Sequence, residues 1–345
     1  MWAGSKKVYK SRWIDRTLDE ICRSHPCSTD ELEVFARLLK SLGVSLIEIQ
    51  AGFHRRLEKV PADWFVFRVE TTEDLNECIE KQIKYCVLKM EKLPDKEQMI
   101  RLHRNNVKIT LEAVADRVKQ VDMLVAMLDR KMWRYIHTIR LTGLREYEHK
   151  NWAESLEKIR QQSVELDLCP SNSLHMAGAI VVEGLLQGVQ TVTCSFSGFG
   201  HHRSYAPLEE VMTSMAVLGS TFKVYNLAVL PELCKKFCEI TGKTIIENKP
   251  VIGSAIFTYE SGIHAHGIER DPITYEPFAP ELVGRKRQMK IGKHSGRKSV
   301  EKKLSEMGIN SNKQNLEALL EMIRSKSILL KRDLLDEEIV SLLEA

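Results

Sequence analysis

Between positions 28 and 49 the chain reads Ser28-Thr29-Asp30-Glu31-Leu32-Glu33-Val34-Phe35-Ala36-Arg37-Leu38-Leu39-Lys40-Ser41-Leu42-Gly43-Val44-Ser45-Leu46-Ile47-Glu48-Ile49. Leu32, Phe35, Ala36, Leu39 and Leu42 recur at steps of three and four, which puts them on one face of a helix running from about Asp30 to Leu42. Ser28 and Glu31 have the spacing of a capping box, and Gly43 supplies a stop. Val44 to Ile49 then reads as a strand. A helix leading directly into a strand is the repeating unit of a parallel α/β sheet.

The same alternation extends in both directions. Strand-like stretches fall at Arg12 to Leu18, Trp64 to Val69, Tyr85 to Met90, Val107 to Leu111, Tyr135 to Leu141, Val164 to Leu168 and Gln190 to Cys194. With Val44 to Ile49 this makes eight. Eight strands with intervening helices predict an α/β fold of the (β/α)8 TIM-barrel type, ending near residue 240. Chemistry in such a barrel sits at the C-terminal strand ends, here near residues 19–22, 112–116, 140–143, 169–175 and 196–206.

Composition narrows the function classes. The 345 residues carry 51 Lys and Arg against 47 Asp and Glu, a formal charge of +4 with no long block of one sign. That pattern describes a mixed solvated surface and argues against a nucleic-acid face, while tolerating anionic substrates. No run of about 18 apolar residues predicts a membrane span. Met1 to Lys10 lacks the apolar core of a signal peptide. The cysteines at 22, 27, 78, 86, 169, 194, 234 and 238 include no CxxC pair. Reduced thiols in a cytoplasmic protein are therefore expected. Cys234 and Cys238, at i,i+4 on a helix, read as packing residues.

Beyond the barrel, Glu247-Asn248-Lys249-Pro250 marks a boundary. Phe257-Thr258-Tyr259-Glu260-Ser261-Gly262-Ile263-His264-Ala265-His266-Gly267-Ile268 follows, with its two histidines set between glycines, and reads as a polar loop. Tyr275-Glu276-Pro277-Phe278 and Ile291-Gly292-Lys293-His294-Ser295-Gly296 come next. Helices are expected over Arg297 to Met307 and Asn312 to Leu343, the latter with a packing or dimer face of Leu316, Leu319, Leu320 and Ile323.

These C-terminal motifs, together with Ala206-Pro207-Leu208-Glu209-Glu210-Val211, resemble the homocitrate and isopropylmalate synthases. The resemblance is strong from about Pro207 to Leu304 and rests on element order and spacing before that. It implies a TIM barrel (residues 1–246), a lid subdomain (247–298) and a C-terminal helical region (299–345). The implied activity is a Claisen-type condensation of acetyl-CoA with a 2-oxo acid at a divalent metal (Mg, Mn or Zn). It also implies a dimer in which each lid closes over the partner's barrel.

The strand ends depart from the family pattern. Where the family has Thr-Leu-Arg-Asp, this chain has Thr17-Leu18-Asp19-Glu20, which reverses the charge at the arginine position. Where the family has His-x-His on the seventh strand, it has Cys169-Pro170-Ser171. On the eighth, Tyr205 replaces an asparagine near the metal. Val114 falls at the catalytic glutamate position, with Glu112 two residues away, and Arg140-Leu141 at an Asp-Thr pair. Glu20, Cys169 and Ser171 are thus remnants of a metal site expected to be lost, because a catalytic divalent ion needs about three well-placed ligands. A relocated site drawing on Cys169, His175, His201, His202, His264 and His266 is the weaker reading.

The lid keeps its pattern: His264 and Tyr275 stand at its catalytic positions. Three functions stay open. The chain is a non-catalytic, lid-donating subunit in a homodimer, or in a heterodimer with an active synthase paralogue. Alternatively it is an enzyme with altered chemistry on a 2-oxo acid or acyl-CoA, using Glu20, Arg140 and the lid. Or it is a metabolite sensor. Lys293 and Arg297 are candidates to hold the phosphates of acetyl-CoA.

Overall fold

The computed structural model describes residues 11–343, apart from residues 58, 118–119, 121–122, 124–132, 147–156, 160, 162–163, 202–204, 219–224 and 310–315. The chain divides into two compact units, Met1–Ile245 and Ile246–Ala345.

The first unit is a closed barrel of eight parallel strands in chain order. They are β1 (Arg12–Asp15), β2 (Leu46–Gln50), β3 (Phe65–Val69), β4 (Tyr85–Lys89), β5 (Lys108–Arg117), β6 (Ile136–Glu146), β7 (Glu165–Pro170) and β8 (Thr191–Cys194). Closure is made by β1 against β8, from Arg12 opposite Thr191 to Asp15 opposite Cys194. All eight expected strands are present.

The first was expected to run to Leu18 but stops at Asp15, and α1 (Thr17–Ser24) begins at once. The reason is local. The Asp15 carboxylate accepts from the Thr17 amide at 2.9 Å and the Thr17 hydroxyl at 2.8 Å, which folds the backbone over into the first helical turn.

α2 (Thr29–Leu42) has the capping box read from the sequence: Ser28 Oγ accepts from the Glu31 amide, and Glu31 Oε2 accepts from the Ser28 amide. Gly43 ends it at φ +113°, a left-handed conformation open to glycine. The further barrel helices are α3 (Thr72–Glu80), α4 (Lys96–Arg104), α5 (Ala177–Leu186), α6 (Leu208–Val217) and α7 (Leu230–Thr241). Cys234 and Cys238 lie on α7, and all eight cysteines are free thiols.

Ile14, Leu46, Val66 and Val87 form an apolar floor. Two residues further along a strand the side chain returns to the same face. Those positions hold Arg16, Glu48, Arg68 and Lys89, joined from the other strands by Glu112 and Arg140. The layer above the floor is therefore ionic.

The second unit holds α8 (Gly262–Arg270), α9 (Arg297–Glu306), α10 (Leu316–Leu330), α11 (Asp336–Leu343) and a small parallel pair, β9 (Thr258–Tyr259) with β10 (Gln288–Met289). Its core runs through both C-terminal segments that the sequence reading kept apart. Ala265, Met289 and Ile291 pack with Val300, Leu304, Leu319, Ile323 and Ile339.

Two expectations change here. The stretch around His264 is a helix, not a loop: Ser261 Oγ caps it by accepting from the Ile263 amide, and Ala265 and Ile268 are buried. The expected helix from Asn312 to Leu343 breaks in two where Lys331 turns at φ +54° and the Leu334 amide donates to Ile291 O. Residues 312–315 of that expectation lie outside the described residues. No helix among the described residues is long and apolar enough to cross a membrane.

Candidate active site

In the barrel, a buried ionic network spans five strands and the turn after β1. Arg140, wholly buried, donates from Nε to Asp167 Oδ2 at 2.6 Å, and from Nη1 to Glu48 and, at 3.3 Å, to Glu112. Arg68 donates to Glu48 at 3.0 Å and clasps Glu112 with both terminal nitrogens. Thr193 donates to the Asp167 carboxylate at 2.9 Å.

Arg16 closes the network from above. Its Nε lies 3.4 Å from Glu48, Nη1 3.8 Å from Glu112, and Nη2 3.6 Å from Glu20. Its guanidinium stacks over the Tyr205 ring at 4.3 Å, a cation–π contact, and Tyr205 donates to Glu20 at 2.9 Å. Burial works against Glu48 as a carboxylate, but the guanidiniums of Arg140, Arg16 and Arg68 outweigh it and hold the group at about 2. Glu112 is held low in the same way, burial opposing and Arg68 leading the attraction.

The sequence-read residues fall into place around this network. Asp19 is buried and structural: it accepts from the Gln50 amide at 2.7 Å and from Arg23 at 2.8 Å, tying α1 to the end of β2. Val114 is 55% exposed, whereas Glu112 lies inside. Arg140 is shut away from solvent with its charge directed at three carboxylates.

The metal implied by the resemblance does not fit the donors present. Burial raises the Cys169 thiol to about 12, and its sulfur lies 3.9 Å from the Arg16 guanidinium, so a protonated thiol faces a fixed cation. Ser171 Oγ sits 3.4 Å from Ser173 Oγ. Glu20 already faces Arg16 and Tyr205. Among the described residues no three His, Cys, Asp or Glu side chains are grouped to hold an ion. Of the relocated set, His175 and His201 are exposed and His202 lies outside the described residues.

Sequence reasoning missed Arg16, Glu48, Arg68 and Asp167. The available signal was a charged residue in the middle of an otherwise apolar strand, as in Leu46-Ile47-Glu48-Ile49 and Val66-Phe67-Arg68-Val69.

In the second unit the two lid residues do meet. His264 and Tyr275 have ring centroids 5.1 Å apart at 55°. Both are exposed. Gly267, one turn after His264, makes room: a Cβ there would fall against Cε2 of Tyr275 and within 3.0 Å of Cζ. Lys293 and Arg297 line different cavities.

A hydroxymethylglutaryl-CoA lyase from Pseudomonas aeruginosa superposes with a TM-score of 0.57 at 12% identity, over 69% of this chain and 95% of that one. This likeness shows the TIM-barrel fold. Residues 251–328 match the family model described as "Homocitrate synthase post-HMGL domain-like". The "Homocitrate synthase, omega subunit" of Clostridium pasteurianum is 29% identical over 96% of this chain and 95% of its own length. "Homocitrate synthase AksA" of Methanocaldococcus jannaschii is 32% identical over 66% of this chain, which spans only about half (51%) of that protein. 2-Isopropylmalate synthases are among its relatives too. The chain is thus similar to homocitrate synthases over nearly its whole length and to a 2-isopropylmalate synthase over 63% of it.

Proposed function

We propose that this chain is a cytoplasmic, non-catalytic subunit of a homocitrate/isopropylmalate synthase-like enzyme. It lends His264 and Tyr275 to the barrel of an intact partner, which condenses acetyl-CoA with a 2-oxo acid at a metal that this chain does not hold. The observation that carries the reading is Arg16. Its guanidinium lies between Glu20, Glu48, Glu112 and the Cys169 thiol at the barrel's C-terminal face, where metal ligands would be needed. A buried arginine ringed by carboxylates is a finished ion cluster and offers a metal no free ligand. Two facts support the lid half: the paired rings of His264 and Tyr275, and a full-length relative whose printed name makes it one subunit of a homocitrate synthase.

The test is thiol release from acetyl-CoA with a panel of 2-oxo acids. The purified chain alone should give none. Mixed with an intact synthase of the same family it should co-elute and raise turnover. His264→Ala should keep the co-elution and lose the gain. Robust turnover by the chain alone would sink the proposal.

A further inference from the structure

We propose that the cavity between α8 and α9 is a binding site for a phosphate group. The inference rests on the second unit alone and is independent of the subunit reading. The cavity has a volume of about 660 Å³. α9 opens into it at Gly296, with no side-chain cap, so the first amides of that helix have no side-chain acceptor. A helix start of this kind presents N–H groups and a positive dipole end to an anion.

A second observation points to a ligand. Ser299 lines the same cavity and is 1% exposed, and its Oγ has no hydrogen-bond partner among the described residues. It faces the start of α8, where a Cβ on Gly262 would stand 3.2 Å away. A buried hydroxyl without a partner is costly. An acceptor oxygen seated between the two helix starts removes that cost.

The charges around it agree. Lys298, Arg297, His294 and His266 line the space. Glu269 is the one carboxylate among the lining residues, and Lys302 pairs with it. Among the described residues Arg297 keeps only loose ion pairs, at 3.4 Å to Glu301 and 3.9 Å to Glu317. The loop entering α9 is held in place: the His294 amide donates to Glu260 at 2.7 Å and the Gly292 amide to Ser295 Oγ at 2.9 Å. A tetrahedral dianion has enough acceptors for hydroxyl, amides and cations together.

The site is separate from the catalytic lid pair. His264 and His266 are two apart on α8 and so point to opposite sides. His264 goes to Tyr275, while His266 lines the cavity. Lys293 belongs to the larger cavity of this unit, so of the two residues first considered for phosphate contact only Arg297 is in place.

Calorimetric titration of the full chain with inorganic phosphate and with adenosine 3′,5′-bisphosphate tests this. Comparable binding of both assigns the site to free phosphate. Much tighter binding of the nucleotide assigns it to a phosphate ester. Lys298→Ala, at an exposed position, and Ser299→Ala should each weaken binding by about tenfold, with melting curves confirming the fold. No binding of either probe at millimolar concentration overturns the proposal, as does binding that neither variant changes.

Discussion

Arg140 Nε donates to Asp167 Oδ2 across 2.6 Å, with both side chains wholly shielded from solvent. The same guanidinium serves Glu48 and Glu112, so one arginine on β6 ties carboxylates from β2, β5 and β7. Replacing it with methionine keeps the bulk and removes the charge. Truncating one partner of a buried ion cluster leaves the others uncompensated, at a cost of about 3–5 kcal/mol. Urea unfolding of Arg140→Met should show a loss of that size. A loss under about 1 kcal/mol, the level of a surface pair, would mean that the network contributes little to the barrel.

The pH dependence of stability has two opposed parts. Glu48, held at about 2 although burial alone would raise it, contributes stability that is present above the ordinary glutamate pKa of about 4.3 and lost as pH falls through about 2. Glu112 acts in the same direction. Asp15 does the reverse. Burial, only partly offset by its hydrogen bonds to Thr17, pushes it up to about 7. Its contribution is complete below about 3.9 and is lost as pH rises through about 7. Thermal melts should therefore fall steeply towards pH 2 and drift downward between about pH 4 and 7. Asp15→Asn should flatten the drift and leave the acid limb. An unchanged drift in that variant would reassign it.

Cys169 is buried and its thiol is raised to about 12 by that burial, despite the nearby guanidinium of Arg16. Alkylation requires the thiolate. Iodoacetamide at pH 8 followed by peptide mass mapping should modify the partly exposed Cys27 and Cys238 while leaving Cys169 intact until the chain unfolds. On the proposed reading, in which Cys169 is not a metal ligand, zinc should give it no protection. Rapid native labelling that zinc blocks would contradict both points.

At Gly267 an added methyl would occupy the space now taken by the Tyr275 ring. Tyr275 is 44% exposed and can swing outward. Alanine also favours the helix by about 0.5–1 kcal/mol over glycine. Gly267→Ala should leave the melting point unchanged or slightly raised, yet displace the His264 imidazole resonances by separating the two rings. Unshifted resonances would show that the rings do not depend on this glycine.

The barrel was legible from the strand-and-helix alternation, and α2 down to its capping residues, because those signals are local. The end of β1 was not. Thr17 and Leu18 look like strand, but a hydrogen bond from Thr17 to a carboxylate two residues back turns the chain into a helix. The His264 segment was misread for a related reason. Its glycines suggest a loop, whereas Gly262 lies against Ser299 and Gly267 beneath Tyr275, and those contacts hold a helix that propensity disfavours.

By itself the sequence determined the strand-and-helix alternation and the family-like pattern of the C-terminal motifs. Periodicity and residue identity carry that much. Only the tertiary structure decided which charged residues share the barrel interior. Arg16, Glu48, Arg68, Glu112, Arg140 and Asp167 come from six separate stretches of chain, and none of them is informative alone. Barrel closure brings them into one dry layer, where the low dielectric makes pairing compulsory. That layer gives the barrel a buried ion cluster in place of an apolar core at this level.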